Sequence, residues 1–263
     1  MTEVDLMTDR AHSARIYDYL LGGKTHYEAD RDAGDGLLAV MPSLRTTARV
    51  QRAFIHRTCR TIAELGVDQF LDIGTGIPTE PNLHQVVQSV QPEASVVYVD
   101  NDPIVLAHAA ALMTGSGTLA YVQADARDPE AILAAPPLRA TLDLDRPVSI
   151  SVIGILHFLD DEAAQHLLRT VVETAAPGSY LTITQATYDN DESGEVRRTT
   201  EIYAKAGISG WARTRDQVQH LLRGLEILEP GIVPASLWRA DPTPFDGEPD
   251  RALWAAVARK PLG

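Results

Sequence analysis

Short hydrophobic runs rich in β-branched residues alternate with longer amphipathic stretches from about residue 69 onward. Runs of about four to eight such residues are typical of strands, and longer stretches with apolar positions three and four apart are typical of helices. The alternation predicts βαβ units and a mostly parallel sheet, which is an α/β fold. The predicted strands are 70–73, 96–100, 118–123, 148–153 and 180–185. Pro103, Asp128 and Asp160 are typical of the helix starts that follow three of them.

The last part of the chain lacks a helix between its hydrophobic runs. Residues 225–233 and 253–258 are predicted to be strands, and a loop rich in Pro, Gly and Asp joins them at 241–250. Two strands without a crossover helix pair most simply as an antiparallel hairpin. We therefore expect a hairpin at one edge of the sheet.

The segment before the first strand is predicted to be helical throughout. Ser13 is a possible N-cap, Gly22 and Gly23 end the first helix, and a long helix is predicted over 43–65. No clear linker separates this segment from the rest. We therefore expect residues 1–65 to form a helical lid that packs on an α/β domain at 66–263.

Composition and charge exclude several classes of protein. The 263 residues carry a net charge of −13, which disfavours a nucleic-acid partner. Arginines 45, 49, 52, 57 and 60 are interpreted as a solvated helix face. The single cysteine excludes a disulfide framework and indicates a reducing, cytoplasmic setting. No secretion signal is recognisable, and the longest apolar run, 148–159, is too short to span a membrane.

A predicted strand that runs directly into a Gly-x-Gly turn is the most informative feature. Gly74 and Gly76 let the backbone turn sharply and approach a ligand closely. Asp100 ends the next predicted strand 24 residues after Gly76, where a carboxylate can accept hydrogen bonds from ribose hydroxyls. The pattern indicates an adenosine-containing ligand. The alternative is an ordinary turn followed by a solvated acid at a strand end.

The same turn favours a cationic ligand over a dinucleotide. Thr79 stands where a dinucleotide-binding turn has its third glycine. Asp72 precedes the first glycine, and its carboxylate would oppose a pyrophosphate but suit an ammonium group. S-adenosylmethionine has an ammonium group, a sulfonium and a ribose, and no phosphate. We therefore predict S-adenosylmethionine as the cofactor, and a nicotinamide-dependent oxidoreductase is the competing hypothesis.

Several motifs resemble known methyltransferases. Asp72-Ile-Gly-Thr-Gly76, Val99-Asp-Asn-Asp-Pro103 and Gln123-Ala-Asp125 resemble the class I S-adenosylmethionine-dependent methyltransferases. Other segments resemble, over nearly the whole chain, a bacterial S-adenosyl methyltransferase family formerly described as a domain of unknown function. These segments are Arg15-Ile-Tyr-Asp-Tyr-Leu-Leu-Gly-Gly-Lys24 with Tyr27 and Asp30-Arg31, Leu156-His-Phe158, Gly224-Leu-Glu226 and Leu237-Trp-Arg239.

The resemblance implies a fold and a set of cofactor contacts. The fold is a Rossmann-like, doubly wound, seven-stranded sheet whose last strand is antiparallel. The positions that match the methionine, ribose and adenine contacts of the class are Asp72, Gly74, Gly76, Asp100, Asn101, Asp125 and Ala126. The third glycine of the class is absent here. The resemblance implies no particular substrate.

The methyl acceptor is expected beyond the carboxyl ends of the strands, near the fourth strand. His157 follows that strand and is a candidate general base, although a structural, hydrogen-bonded histidine is the alternative. The acids at 160–162 are interpreted as helix caps, and no metal site is predicted. An Asn/Asp-Pro-Pro-aromatic segment is absent there and Cys59 lies in the N-terminal helix, which disfavours nucleic-acid methylation.

The N-terminal motif supplies the second candidate group. Ile16 and Leu20 lie on one helix face and are expected to pack on the body, which leaves Tyr17 for another role. Tyr17 is therefore a second catalytic candidate. The residues predicted to build a polar lid over the substrate are Tyr17, Gly22, Gly23, Lys24 and Tyr27.

These features predict an S-adenosylmethionine-dependent methyltransferase that acts on a small molecule by in-line methyl transfer. The alternative is a non-catalytic protein that binds S-adenosylmethionine or S-adenosylhomocysteine as a sensor or assembly partner.

Overall fold

An eight-stranded sheet forms the centre of the computed structural model, which describes residues 7–112, 117–240 and 250–262. The strands are β1 Gln69–Ile73, β2 Ser95–Asp100, β3 Leu119–Gln123, β4 Ser149–Val152, β5 Tyr180–Ala186, β6 Glu226–Ile227, β7 Val233–Pro234 and β8 Leu253–Arg259. The order is β3-β2-β1-β4-β5-β8-β6, and β7 also pairs with β8. Strands β1 to β5 are parallel, and β8 is antiparallel to its neighbours. The predicted fold class is confirmed.

The C-terminal strands differ in detail from the sequence prediction. The segment 225–233 is broken into β6 and β7, because Pro230 and Gly231 form a turn between them, with φ 90° at the glycine. The two pieces pair with opposite ends of β8 and together occupy one position in the sheet. Strand β8 lies between β5 and this broken strand, so it is not the edge strand. Most of the predicted loop, 241–249, lies outside the described residues.

The helices surround the sheet. They are α1 Ser13–Leu21, α2 Glu28–Val40, α3 Leu44–Glu64, α4 Leu83–Gln88, α5 Pro103–Leu112, α6 Pro129–Ala134, α7 Pro136–Thr141, α8 Asp161–Thr174, α9 Glu195–Lys205 and α10 Arg215–Leu221, with a 3-10 turn at Leu156–Phe158. The predicted caps Asp128 and Asp160 accept hydrogen bonds from Ala131 N and Ala163 N, at 3.0 and 2.8 Å. Among these helices, none is long and apolar enough to cross a membrane.

The first helix begins and ends as its local residues dictate. His12 is the N-cap instead of Ser13, because its Nδ1 accepts a hydrogen bond from Ala14 N at 3.3 Å. Gly22 adopts φ 84° and ends the helix, as predicted, because this left-handed conformation favours glycine. The chain therefore turns sharply after α1 and leads into α2.

The N-terminal helices pack against the rest of the chain. Ile16 and Leu20 of α1 are buried against Leu37 of α2 and Ala48 of α3, as expected for the apolar face of α1. Phe54 of α3 belongs to a larger cluster that includes residues from several strands. Helix α3 thus anchors the N-terminal region to the sheet, while the domain boundary at residue 65 stays a prediction.

The arginines of α3 do not form the uniform solvated face that the sequence suggested. Arg49 and Arg60 are exposed, but Arg45 donates to two backbone carbonyls at the end of α1. Arg57 donates to two carbonyls in the segment after β7, and Arg52 points into the cleft described below. The prediction was wrong for Arg45, Arg52 and Arg57. Helical periodicity shows which face of the helix a residue occupies, but not which part of the protein packs against that face.

Candidate active site

A cleft of about 500 Å³ opens at the carboxyl ends of β1, β2 and β4. The strand order reverses between β1 and β4, and ligands of open α/β sheets bind at such a switch point. Helices α1, α3 and α9 cover the opening. All seven predicted cofactor residues line this cleft: Asp72, Gly74, Gly76, Asp100, Asn101, Asp125 and Ala126.

The glycine turn after β1 forms the floor of the cleft. Gly74 has φ 80°, and a Cβ there would lie 2.1 Å from the side chain of Ile155. A side chain at this position is therefore excluded by both conformation and space. Gly76 has φ 68°, and its backbone N–H donates to Asp100 Oδ2 at 2.8 Å. The turn and the second strand are thus fixed to each other by the acid predicted to hold the ribose.

Asp100 is held rigidly but keeps acceptor capacity. Its Oδ1 accepts a hydrogen bond from Asp102 N at 2.9 Å, and its Oδ2 accepts one from Gly76 N. Burial raises the pKa of the Asp100 carboxyl, and these two hydrogen bonds oppose the rise. Because a carboxylate offers about four acceptor sites, each oxygen can accept one more hydrogen bond. The residue can therefore accept donors from a ligand in the cleft.

Opposite charges meet at the methionine end of the predicted site. Burial raises the pKa of the Asp72 carboxyl to about 7, and the positive charge of Arg52 opposes this rise. Arg52 Nη2 donates to the backbone carbonyls of Thr79 and Pro81. Its Nε is buried and has no hydrogen-bond partner among the described residues. An anion and a cation side by side fit the ammonium and carboxylate groups of an amino acid.

The far end of the cleft is more exposed. Asn101 Nδ2 donates to Asp125 Oδ2 at 3.3 Å, and Arg127 N donates to Asp125 Oδ1 at 2.9 Å. Arg127 Nη2 also donates to the backbone carbonyl of Phe158 at 2.9 Å. This bridge ties the loop after β3 to the segment after β4. Ala126, between Asp125 and Arg127 in the sequence, also lines this end of the cleft.

His157 lies in the 3-10 turn after β4 and faces the cleft. Burial, together with the positive charge of Arg213, lowers the pKa of the imidazole to about 4, so the ring is neutral at physiological pH. Its Nδ1 is buried without a hydrogen-bond partner among the described residues. Arg213 donates to the carbonyls of Leu156 and Leu159, both at 2.8 Å, and so fixes the turn. The backbone of the turn and the adjacent Phe158 ring, whose centroid lies 4.3 Å from that of the imidazole, position His157.

Tyr17 reaches the cleft, but its hydroxyl is already engaged. The hydroxyl donates to Ala48 O of α3 at 2.9 Å, and burial raises the pKa of the phenol. A phenol that is protonated and committed to a backbone carbonyl is a poor candidate for proton transfer. Its geometry fits a residue that closes the cleft and joins α1 to α3.

The other predicted lid residues do not line the cleft. Gly22 ends α1, and Gly23 packs against Asp18, whose Oδ1 would lie 1.9 Å from an added Cβ. Lys24 is exposed, and the Tyr27 ring lies 5.6 Å from the guanidinium of Arg15. The polar lid over the substrate therefore stays a prediction. The two glycines shape the α1–α2 turn for different reasons: Gly22 adopts φ 84°, and Gly23 leaves room for the buried Asp18 side chain.

Sequence reasoning missed a buried charge cluster beside the cleft. Arg15 Nε lies 3.5 Å from both Asp30 Oδ1 and Asp102 Oδ2, and His12 Nδ1 lies 3.3 Å from Asp102 Oδ2. Arg15, Asp30 and Asp102 are each at most 2% exposed. Asp102 is close in sequence to Asp100, so the cluster ties α1 to the ribose end of the site. The only sequence signal was their occurrence within the family-like motifs.

This fold and this cleft define a Rossmann-like protein of the S-adenosylmethionine-binding methyltransferase class. A family model described as S-adenosyl methyltransferase matches residues 1–261. The chain therefore belongs to the S-adenosyl methyltransferase family. The predicted family, enzyme class and cofactor are confirmed.

Solved structures agree with this assignment. A DUF574 family protein from Streptomyces avermitilis is 46% identical, with 98% of this chain and 100% of that chain covered and a TM-score of 0.94. A protein of Thermobifida fusca, described as a methyltransferase candidate, is 38% identical, with 97% of each chain covered and a TM-score of 0.91. An O-methyltransferase family protein from Burkholderia thailandensis shares the fold at 13% identity, covering 86% of this chain and 62% of that chain, with a TM-score of 0.53.

No curated protein matches the sequence. The family assignment does not favour the alternative of a non-catalytic binding protein.

Proposed function

We propose that this S-adenosylmethionine-dependent methyltransferase transfers the methyl group in line to a small-molecule acceptor. The opposite charges of Asp72 and Arg52, which interact with each other and line the same cleft, carry the proposal. When bound, the cofactor supplies an electrophilic methyl group on a cationic sulfur. Since displacement at that carbon needs no covalent enzyme intermediate, the chain acts by positioning the reactants and excluding water.

Each part of the cofactor is assigned to one part of the cleft. Asp72 binds the ammonium group, and Arg52 binds the carboxylate through its buried Nε. Asp100 accepts from the ribose hydroxyls, while Gly74 and Gly76 allow the backbone to approach closely. The residues assigned to the adenine end are Asn101, Asp125 and Ala126.

The acceptor side is assigned to the residues after β4. His157 accepts a hydrogen bond or a proton from the acceptor, because its neutral ring has an unpartnered buried nitrogen. Tyr17 closes the cleft and does not transfer a proton. We also propose that the protein has no nucleic-acid partner, because its net charge is −13. The single cysteine supports a cytoplasmic location.

Replacement of Asp100 by Ala is expected to weaken S-adenosylmethionine binding by about 1.5 to 3 kcal/mol, the effect of removing a hydrogen bond to a charged group. Isothermal titration calorimetry measures the change. Asp145→Ala is the control, because Asp145 is exposed and lies outside the cleft. Equal affinity of Asp100→Ala and the wild type would contradict the ribose assignment.

Replacement of Arg52 by Met is expected to weaken S-adenosylmethionine binding about tenfold or more, because the cofactor carboxylate loses its charged partner. Arg49→Met is the matched control: it changes the same residue type on the same helix, at an exposed position. Calorimetry with methionine-free 5′-methylthioadenosine adds a second control, since this ligand lacks the carboxylate. If the Arg52 variant weakens both ligands equally, Arg52 does not bind the carboxylate.

A further inference from the structure

A second, smaller cavity of about 100 Å³ adjoins the cofactor cleft, and we call it the inner cavity. It lies between α1, α3 and α9, and Leu20, Ala48 and Thr199 are among the residues that line it. Five residues line both spaces: Tyr17, Gln51, His157, Phe158 and Tyr203. A molecule in the inner cavity would therefore lie directly beside the cofactor.

The inner cavity has no charged wall. Among the described residues that line it, none is Asp, Glu, Lys or Arg. The cofactor cleft, in contrast, is lined by Asp72, Asp100, Asp125, Arg15 and Arg52. Because an unpaired charge is expensive to bury, a charged ligand would be excluded from the inner cavity. Its occupant is therefore neutral.

The walls are aromatic and the space is small. The ring centroids of His157 and Phe158 are 4.3 Å apart, and those of Phe158 and Tyr203 are 5.5 Å apart. Trp211 adds a further aromatic side chain. The inner cavity is smaller than the apolar cavity of about 150 Å³ that is known to hold benzene, so its volume limits the occupant to a single small ring. Offset and edge-to-face ring contacts would favour an aromatic occupant.

One polar atom in the wall lacks a partner. His157 Nδ1 is buried without a hydrogen bond among the described residues, and His157 lines both spaces. A neutral imidazole nitrogen is either a donor or an acceptor, depending on the tautomer. A hydroxyl group serves both cases, because it donates and accepts. A hydroxyl group on a ligand is therefore the group best suited to pair with this nitrogen, since His157 lines the inner cavity.

We propose that the methyl acceptor is a neutral, single-ring phenol that occupies the inner cavity with its hydroxyl on His157 Nδ1. This inference rests on the proposed function and narrows its acceptor to one chemical class.

The reaction balances with the groups present. An electron pair of the phenol oxygen forms the bond to the methyl carbon, while the carbon–sulfur bond breaks and its electron pair returns to sulfur. The hydroxyl proton moves to His157 Nδ1 and then to solvent. The products are a methyl aryl ether, S-adenosylhomocysteine and a proton. A weakly basic imidazole suffices, because the hydroxyl becomes strongly acidic as the new carbon–oxygen bond forms.

Calorimetric titration of the protein saturated with S-adenosylhomocysteine tests the ligand class without turnover. Phenol and 4-methylphenol are expected to bind, whereas 4-hydroxybenzoate is expected to bind at least tenfold more weakly because of its carboxylate. With S-adenosylmethionine, the two phenols are expected to give methyl ethers by mass spectrometry. Equal binding of 4-hydroxybenzoate, or methylation of 4-methylaniline but of neither phenol, would overturn the inference.

Matched variants locate the ligand. Ala212→Phe fills the inner cavity and is expected to weaken 4-methylphenol binding at least tenfold, with unchanged S-adenosylhomocysteine binding. Ala204→Phe makes the same change at an exposed position outside the cavity, and is expected to leave both affinities unchanged. Equal phenol binding in both variants would contradict the location.

His157→Asn tests the proton acceptor. It is expected to lower kcat on 4-methylphenol about 100-fold or more and to make the rate rise with pH, because the phenolate must then form in solution. At saturating S-adenosylmethionine, kcat of the wild type is expected to stay flat between pH 6 and 8, since its imidazole is neutral throughout. Identical pH profiles would reject this role.

The cofactor site and the phenol acceptor can be disproved independently of each other. Loss of S-adenosylhomocysteine binding in Asp100→Ala with no phenol bound by the wild type would retain the proposed cofactor site and reject the phenol.

Discussion

Replacement of Arg15 by Met is expected to lower the free energy of unfolding by about 3 to 5 kcal/mol, the typical effect of leaving a buried charge without its partner. The guanidinium lies 3.5 Å from one carboxylate oxygen of Asp30 and 3.5 Å from one of Asp102. Met preserves the aliphatic length but removes the positive charge from between two buried acids. Urea unfolding followed by circular dichroism measures the loss.

A control substitution separates the effect of burying the charge from the effect of losing a charge at all. Arg60→Met removes a positive charge from an exposed position on α3, and its expected effect is within about 0.5 kcal/mol. Combining Arg15→Met with Asp102→Asn is expected to recover part of the loss, since one buried carboxylate is then neutralised. A loss below about 1 kcal/mol in Arg15→Met would show that water reaches the cluster and screens it.

The same cluster connects stability to the cofactor site. Asp102 N donates to Asp100 Oδ1, and Asp102 Oδ1 accepts a hydrogen bond from Ile104 N at 2.9 Å. Movement of Asp102 therefore shifts the acid assigned to the ribose. The N-terminal helix thus contributes a buried ion pair next to the residue assigned to the ribose.

Features encoded close together in the chain were predicted from the sequence. Asp128 and Asp160 each cap the helix that begins at the next residue, so their role depends on neighbouring backbone alone. The proximity of the Gly76 turn to Asp100 could also be predicted, because Asp100 ends β2 and Gly76 lies just after β1, its parallel neighbour. Parallel strands bring their carboxyl ends to one edge, and this rule needs no tertiary detail.

Features that depend on packing were not predicted. Arg52 and Arg49 share a helix and a residue type, yet only Arg52 points into the cleft. The N-terminal glycines matched a motif, and in the structure they form a tight turn beside Asp18 that the motif alone did not indicate. Tyr17 was expected near the substrate and does line the cleft, but its hydroxyl donates a hydrogen bond to the backbone carbonyl of Ala48. Residue type and spacing alone do not specify which partner satisfies a polar group.

Replacement of Asp72 by Asn is expected to change stability and cofactor affinity in opposite directions. Burial raises the pKa of the Asp72 carboxyl from 3.8 to about 7 in the folded protein. The folded state therefore binds this proton more tightly than the unfolded state does. The resulting stabilisation is fully present below the unfolded pKa near 4, and it is lost as the pH rises through about 7.

At pH 8 the wild type without cofactor holds Asp72 ionised in a buried site, at an unfavourable free energy of about 2 to 4 kcal/mol. Asn removes the charge, so the variant is expected to be more stable than the wild type by an amount of this order. Asp145→Asn, at an exposed position, is expected to change stability by less than about 0.5 kcal/mol. Urea unfolding measures the stability of the Asp72→Asn variant relative to the wild type at pH 5 and at pH 8. The gain in stability is expected to be much smaller at pH 5.

For cofactor binding we expect the opposite effect: the wild type should bind S-adenosylmethionine more tightly than the Asp72→Asn variant. The ammonium group assigned to Asp72 favours the carboxylate, so the wild-type affinity for S-adenosylmethionine is expected to rise about tenfold from pH 6 to pH 8. Asp72→Asn is expected to weaken binding by about 2 kcal/mol or more at pH 8 and to flatten this pH dependence. A variant that binds as tightly as the wild type at pH 8 would place the ammonium group elsewhere. A variant that is both less stable and weaker in binding would instead show that Asp72 is ionised and well paired before the cofactor arrives.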